Sequence, residues 1–399
     1  MVYYEPKQDR NMKSILWVLN GCGLEGRGIT GAPVRFHEVS KRFTAFGHLQ
    51  HLMTTSGGKA LLTSLGCKIP MSTVPASVVL KNEPCRQFRL WSYIVTSLLW
   101  RIGFRHPPTC DTIITVSDYF CDIIPAMGLK RKLGAKWIAW IHHCETDPKT
   151  RPGLRIINEI TARMQKWSFK HIAKFADCAW INDTIAGDEI ERRLVSFGMD
   201  PKRIRRMQNG IDLEAIKSTP PPKSKTADAV MIGVRPNKGL YDIIPIWERI
   251  NRIRPEISLT LMGGMGGEAQ VLQEITKRGL PIKPFKPEDG GFLSAPLYYA
   301  KIKEARILFA PSHEEGWGIA VCEAMAAGLP VVAYDLPAYK KIYGDAYISV
   351  PCFDMDAFAN SVVEVLGDEK LFSEMQAKGF ECAAKYDWDL IAKEDSFRL

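Results

Sequence analysis

Residues 311–328 read PSHEEGWGIAVCEAMAAG, with Glu314 and Glu315 adjacent at the start and Glu323 seven intervening residues further on. Charged side chains are seldom buried without partners, so this run requires either solvent or a ligand. A second constellation is GVRPNKG at 233–239, where Arg235 and Lys238 stand beside glycine just before an apolar, helix-like run. A guanidinium offers a planar fork to phosphate oxygens and an ammonium a point charge, so the pair suits a diphosphate; a charged loop alone reads equally as solvated surface. A third is NGCGLEGRGITGAP at 20–33, directly after an apolar run. Glycines let backbone N–H groups approach a phosphate, and the helix that follows offers its positive N-terminus. The loop is not a clean GxGxxG, and no acidic residue closes the second strand to hold a ribose, which disfavours a dinucleotide.

Glu315 and Glu323 need a strand, a turn and a helix to hold them. RILFA at 306–310 reads as the strand. Gly316 and Gly318 around Trp317 mark a turn, and Ala320–Ala327 is a strong helix former stopped by Gly328 and Pro330. Glu315 then lies in the loop and Glu323 in an early turn, tilted back toward the mouth that Glu315 lines, while Glu314 points outward. A capping or helix-dipole role for both glutamates fits Glu323 poorly, because Val321, Ala324 and Met325 read as buried.

The same plan recurs along the chain. Short, nearly continuous apolar runs (15–19, 111–116, 137–141, 178–181, then 229–233, 258–262, 306–310, 331–333 and 346–350) alternate with helical segments. Such runs are expected of parallel strands buried on both faces. The fold class is α/β: two doubly wound, Rossmann-like domains facing a cleft, where ligands bind beyond the carboxyl ends of the strands. STPPPKSK at 218–225 reads as an exposed linker. The expected organisation is therefore a domain over 1–217, a linker over 218–227, a second domain over 228–380, and a closing helix over 381–399 that packs back on the first.

The chain has 399 residues, 46% hydrophobic and 24% charged, with a formal net charge of +9. That balance favours an anionic partner: a phosphorylated small molecule, an acidic membrane surface or nucleic acid. No aromatic-interleaved basic stripe supports nucleic acid. Ten scattered cysteines without a CxxC pair point to a reducing, cytoplasmic setting. LWSYIVTSLLWRIGF at 90–104 is too short to span a bilayer and reads as a helix packed on its own domain or touching a membrane surface. Asp354-Met355-Asp356 and Asp387-Trp388-Asp389 each precede a helix, so capping accounts for them better than a metal site. His143-Cys144-Glu145 lacks a further matched ligand. No metal or other cofactor is expected.

EGWGIAVCEAMAAGLPVV resembles the donor-site motif of the retaining GT-B glycosyltransferases of family 4. The likeness covers almost the whole chain: GITGAPVRFHEVSKRFTAFGH (28–48), DTIITVSDYFCDIIPA and WIAWIHH, NGIDLEAI (209–216), RPNKG and YDWD (386–389) resemble the family's other segments in order. Two features depart from its pattern: Arg235 and Lys238 lie only three positions apart, and Thr30–Gly31 stands where two glycines are usual. The resemblance implies a nucleoside-diphosphate sugar donor held mainly by the C-terminal domain, and transfer with retention to a glycan, lipid-linked or small-molecule acceptor. Glu315 would accept hydrogen bonds from the transferred sugar, with backbone contacts from Gly316, Trp317 and Gly318. Glu323 would hold ribose hydroxyls, and Arg235 and Lys238 would neutralise the diphosphate. Gly31 would approach the phosphates from the other domain. His142, nearer the strand end than its neighbour His143, would sit near the reacting sugar. Peripheral contact with an anionic membrane is compatible with the basic charge. A phosphorylase, an epimerase, a glycosidase or a non-catalytic nucleotide- or carbohydrate-binding module on the same architecture are the competing readings.

Overall fold

The structure is a computed structural model that describes residues 12–21, 31–75, 86–142, 144–145, 147–149, 155–264, 268–285 and 294–399. The nine positions 22–30 of the first glycine loop, and His143, lie outside the described residues. The chain divides into two compact units, Met1–Gln208 with Ala392–Leu399, and Asn209–Ile391.

In the first unit the elements run β1 (Ser14–Leu19), α1 (Gly31–Ala45), β2 (Leu49–Thr55), α2 (Ser56–Ser64), β3 (Met71–Val74), α3 (Arg86–Gly103), β4 (Thr112–Thr115), α4 (Phe120–Leu133), β5 (Lys136–Ile141), α5 (Arg155–Phe175), β6 (Cys178–Asn182), α6 (Ile185–Ser196) and β7 (Ile204–Met207). The described strands form one parallel sheet in the order β3-β2-β1-β4-β5-β6-β7. After their polar first residues, Ser14 and Lys136, the stretches ILWVL and WIAWI can be apolar throughout because helices cover both faces of a parallel sheet, and Trp17, Trp137, Trp140 and Trp180 are fully buried. Helix α3, the 90–104 segment, packs on α4, where the Trp100 ring would lie 2.7 Å from a Cβ placed at Gly128. Among the described residues no helix is long and apolar enough to cross a membrane.

The second unit continues with α7 (Leu213–Ser218), β8 (Ala227–Val234), α8 (Ile243–Ile253), β9 (Leu259–Gly264), α9 (Glu268–Lys277), β10 (Ile282–Phe285), α10 (Ala295–Lys303), β11 (Ala305–Ala310), α11 (Ile319–Ala326), β12 (Val331–Tyr334), α12 (Pro337–Tyr343), β13 (Ile348–Val350), α13 (Met355–Gly367) and α14 (Glu369–Ala383), before α15 (Trp388–Phe397). Its sheet is parallel in the order β10-β9-β8-β11-β12-β13. The division falls between Gln208 and Asn209 rather than within 218–227. Ile211, Leu213 and Ile216 join the core built around α11, which carries α7 into the second unit. The proline-rich stretch is anchored there too: Lys225 Nζ donates to the carbonyls of Lys303 (2.6 Å) and Ala305 (2.9 Å). The closing segment is shared, with Ala392–Leu399 counted in the first unit and Trp388–Ile391 in the second.

In each sheet the first strand sends its successor to one side and a later strand to the other. That places topological switch points between β1 and β4 and between β8 and β11. At the first switch point Asp122 of α4, wholly buried, holds the end of β1. Its Oδ1 accepts from the Asn20 amide at 2.6 Å, Ser117 Oγ donates to its Oδ2, and Asn20 Nδ2 donates to the Cys121 carbonyl at 2.7 Å. Burial pushes the Asp122 carboxyl up to about 7, against the Ser117 and backbone hydrogen bonds that favour its ionised form. The folded state therefore holds a proton there that the unfolded chain releases at ordinary carboxylate pH. This contribution to stability is full at low pH and is lost as pH rises through about 7. Asp122→Asn removes that titration, so wild type should lose stability relative to the variant between pH 5 and 8 in urea unfolding. Parallel pH profiles for the two proteins would contradict the assignment.

Candidate functional site

The second switch point brings the two charged loops together, because β8 and β11 are paired neighbours in one sheet. Arg235 follows the end of β8 at Val234, and Pro311 follows the end of β11 at Ala310. The backbone amides of His313 (3.0 Å) and Glu314 (3.4 Å) both donate to the Asn237 carbonyl. His313 Nε2 lies 2.8 Å from Asp242 Oδ2, which also accepts from the Tyr334 hydroxyl at 2.8 Å. Gly239 has φ +83°, and a Cβ there would lie 2.0 Å from the Pro311 carbonyl oxygen, so the close approach of the loops requires glycine.

This stapling sets Lys238 Nζ directly on Glu315 Oε1 as an ion pair between two largely buried side chains. Ser312 Oγ and the Tyr339 hydroxyl, each at 3.3 Å, donate to the same carboxylate oxygen. Burial, reinforced by the Glu315 charge, holds the Tyr339 phenol well above its usual pKa, so it remains a donor. Arg235 is exposed on the same turn, and its guanidinium makes no ion pair among the described residues. Glu314 is exposed, as expected.

Glu323 lies one turn into α11, partly buried. Its Oε2 accepts from the Tyr298 hydroxyl at 2.8 Å and its Oε1 from that of Tyr299 at 3.5 Å, both from α10. Burial and the neighbouring Glu323 charge keep Tyr298 protonated. Between the two carboxylates the backbone turns sharply: Gly318, at φ +84°, begins α11, and a Cβ there would meet the Tyr339 ring at 2.6 Å. Trp317 is an anchor. Its ring is buried against Tyr343 and Tyr386, edge to face, while the Tyr343 hydroxyl donates to the carbonyls of Trp317 (3.1 Å) and Gly318 (2.9 Å). The arrangement presents two carboxylates with residual acceptor capacity and two cations past the carboxyl ends of β8 and β11, the donor set for a ligand with hydroxyls and a diphosphate.

Residues 29–215 match the family model described as Glycosyltransferase Family 4, and residues 214–381 the one described as Glycosyl transferases group 1. The chain belongs to the group 1, family 4 glycosyltransferases. The phosphatidyl-myo-inositol mannosyltransferase of Mycobacterium leprae is 28% identical over 221 residues, 53% of this chain and 56% of that protein. The O-antigen chain mannosyltransferase B of Escherichia coli is 27% identical over 168 residues, 40% and 42% of the two chains. The matched stretch thus spans about half the length of these curated relatives. Sucrose-phosphate synthase from Thermosynechococcus elongatus superposes with a TM-score of 0.72 at 14% identity, covering 97% of this chain and 98% of that one. Anabaena HepE, solved in complex with UDP-glucose, gives 0.69 at 14% identity, with 97% and 99% covered. These likenesses establish the fold, which is GT-B.

In this group 1 glycosyltransferase Arg235, Lys238, Glu315, Gly316, Trp317, Gly318 and Glu323 lie together in the second unit. Gly31, the first residue of α1, and His142, which directly follows β5, belong to the first. In the two Asp-x-Asp segments Asp354 Oδ1 accepts from the Ala357 amide at 2.9 Å and Asp387 Oδ1 from the Asp389 amide at 3.1 Å, each at a helix start. Sequence reasoning missed the phenols. Tyr298 with Tyr299, and Tyr339 with Tyr343 one helical turn apart, were the available signal.

Proposed function

We propose that the protein transfers a sugar from a nucleoside diphosphate to an acceptor hydroxyl, with retention of anomeric configuration, and that the second unit binds the donor. The observation that carries this is the Lys238–Glu315 pair, flanked by Arg235 and Glu323 at the β8/β11 switch point. Lys238 and Arg235 neutralise the diphosphate and stabilise the charge that develops as it leaves. Glu315 exchanges its ammonium partner for hydroxyls of the transferred sugar. Glu323, oriented by Tyr298 and Tyr299, accepts from the ribose diol. These cations cover the phosphate task, so the reading includes no metal. Gly31 is assigned to the phosphates and His142 to the vicinity of the reacting sugar.

The names of the relatives support this reading: both sequence relatives described above are mannosyltransferases, one of them for phosphatidyl-myo-inositol, and one structural neighbour was solved with UDP-glucose. A glycan or lipid-linked acceptor, met in the cytoplasm at an anionic membrane surface, suits the +9 charge; failure to co-sediment with anionic vesicles at low salt would remove the membrane part. The central test is incubation with UDP- and GDP-sugars while following release of the nucleoside diphosphate. Wild type should release it with at least one donor. Glu315→Ala should stay folded and lose roughly 10²–10³-fold in turnover, the scale of losing one transition-state partner. A folded Glu315→Ala variant that turns over like wild type overturns the donor-site assignment.

A further inference from the structure

Arg35 on α1 and Asp395 on α15 are each 1% exposed and pair at 3.7 Å in the first unit. Taking both charges out of water costs several kcal/mol, and apolar residues of like volume often replace such pairs without loss. Stability alone therefore gives no reason for a guanidinium at this place. Burial draws Arg35 down to about 10 and pushes Asp395 up to about 6, with each partner's charge opposing the shift of the other.

The contacts of Arg35 lead in one direction. Its guanidinium lies 4.5 Å over the centroid of Trp140, and its Nη1 donates to Asn182 Oδ1 at 3.4 Å. Asn182 Nδ2 in turn donates to the carbonyl oxygen of His142 at 3.2 Å. The Trp140 and His142 rings lie 5.0 Å apart at 41°. Two routes thus run from Arg35 to His142, one to its backbone through Asn182 and one to its ring through Trp140. The register explains the meeting: β5 and β6 pair Trp140 with Trp180 and Ile141 with Ile181, so His142 stands opposite Asn182 at the strand ends. A carboxamide has a donor end and an acceptor end of nearly equal size. A guanidinium N–H on Oδ1 obliges Nδ2 to face the His142 carbonyl. Arg35 also lies four residues, one helical turn, after Gly31.

We propose that Arg35, held by Asp395, is a positioning residue that sets His142 through Asn182 and Trp140. The proposal rests on the glycosyl-transfer reading for its consequence in turnover, and on geometry alone for its effect on the histidine.

The test uses the full chain and the variants Arg35→Lys, Asn182→Ala, His142→Ala and Asn182→Ala/His142→Ala. Lysine keeps the charge opposite Asp395 but lacks the planar fork. Both Arg35→Lys and Asn182→Ala should lower kcat roughly 10- to 100-fold while KM for the donor and affinity for the nucleoside diphosphate change by less than about twofold. In the His142→Ala background Asn182→Ala should cost nothing more, because a residue acting through another is not additive with it. A merely structural role would instead give additive losses that follow the thermal midpoint. The His142 imidazole signals, assigned by NMR from the His142→Ala spectrum, should move in both Arg35→Lys and Asn182→Ala. Additive losses, wild-type kcat in the two single variants, or unmoved imidazole signals each overturn the proposal. A wild type that releases no nucleoside diphosphate sinks the transfer reading instead, and the NMR result then decides this one.

Discussion

The contact on which the second unit's site depends is the ion pair between Lys238 and Glu315. Two opposite charges from different loops meet only because β8 and β11 are parallel neighbours and both loops leave their carboxyl ends. Everything around the pair serves that approach: glycine at 239 where a side chain would strike the Pro311 carbonyl, the Asn237 carbonyl taking two amides from the facing loop, and Asp242 joining His313 to Tyr334. Partly desolvated charges hold each other more strongly than surface charges. Without ligand, each supplies the other's partner. A bound diphosphate and sugar would substitute for that partnership with little rearrangement of backbone, which is the sense in which the site is preorganised.

Hydroxyl groups provide a second layer. Tyr298, Tyr299, Tyr339 and Ser312 all donate to the two carboxylates, and the partly buried Tyr298 and the buried Tyr339 are held in their neutral form. Each donor fixes the orientation of a carboxylate while leaving lone pairs for a ligand. In the first unit the same logic operates with different groups. Asp122 gathers Asn20 and Ser117 at the β1/β4 switch point, and Asn182 bridges the ends of β5 and β6. Both units thus place polar clusters beyond the carboxyl ends of strands, while the strand interiors are packed mainly by aliphatic and aromatic side chains.

The interior strands were legible because burial on both faces makes them continuous apolar runs: ILWVL, WIAWI, CAWI, AVMIG and RILFA all became strands. The strands β3 (MSTV), β7 (IRRM) and β10 (IKPF) were not read, and each lies at a sheet edge, where polar side chains reach solvent. Strand β2, with His51 and Gln50 interrupting its apolar residues, escaped for a similar reason. Proline and polar residues at 218–225 look like a linker, whereas the division between the compact units at 208/209 has no compositional mark. In the candidate site, charges near glycines in the loops after two strands pointed to Arg235, Lys238 and Glu315, and a carboxylate among apolar helix neighbours pointed to Glu323. The tyrosines that hold the carboxylates come from α10 and α12, elements that no local spacing connects to α11.

The claim that Lys238 and Glu315 divide the donor between them is tested most directly by isothermal titration of a nucleoside diphosphate, without sugar, into wild type, Lys238→Ala and Glu315→Ala. A charge-assisted contact to phosphate is worth about 1.5–3 kcal/mol. Lys238→Ala should therefore bind at least roughly tenfold more weakly. Glu315→Ala should bind as tightly as wild type or tighter, because the ammonium no longer has to leave a carboxylate. Unchanged affinity in Lys238→Ala, or equal losses in both variants, would contradict the account.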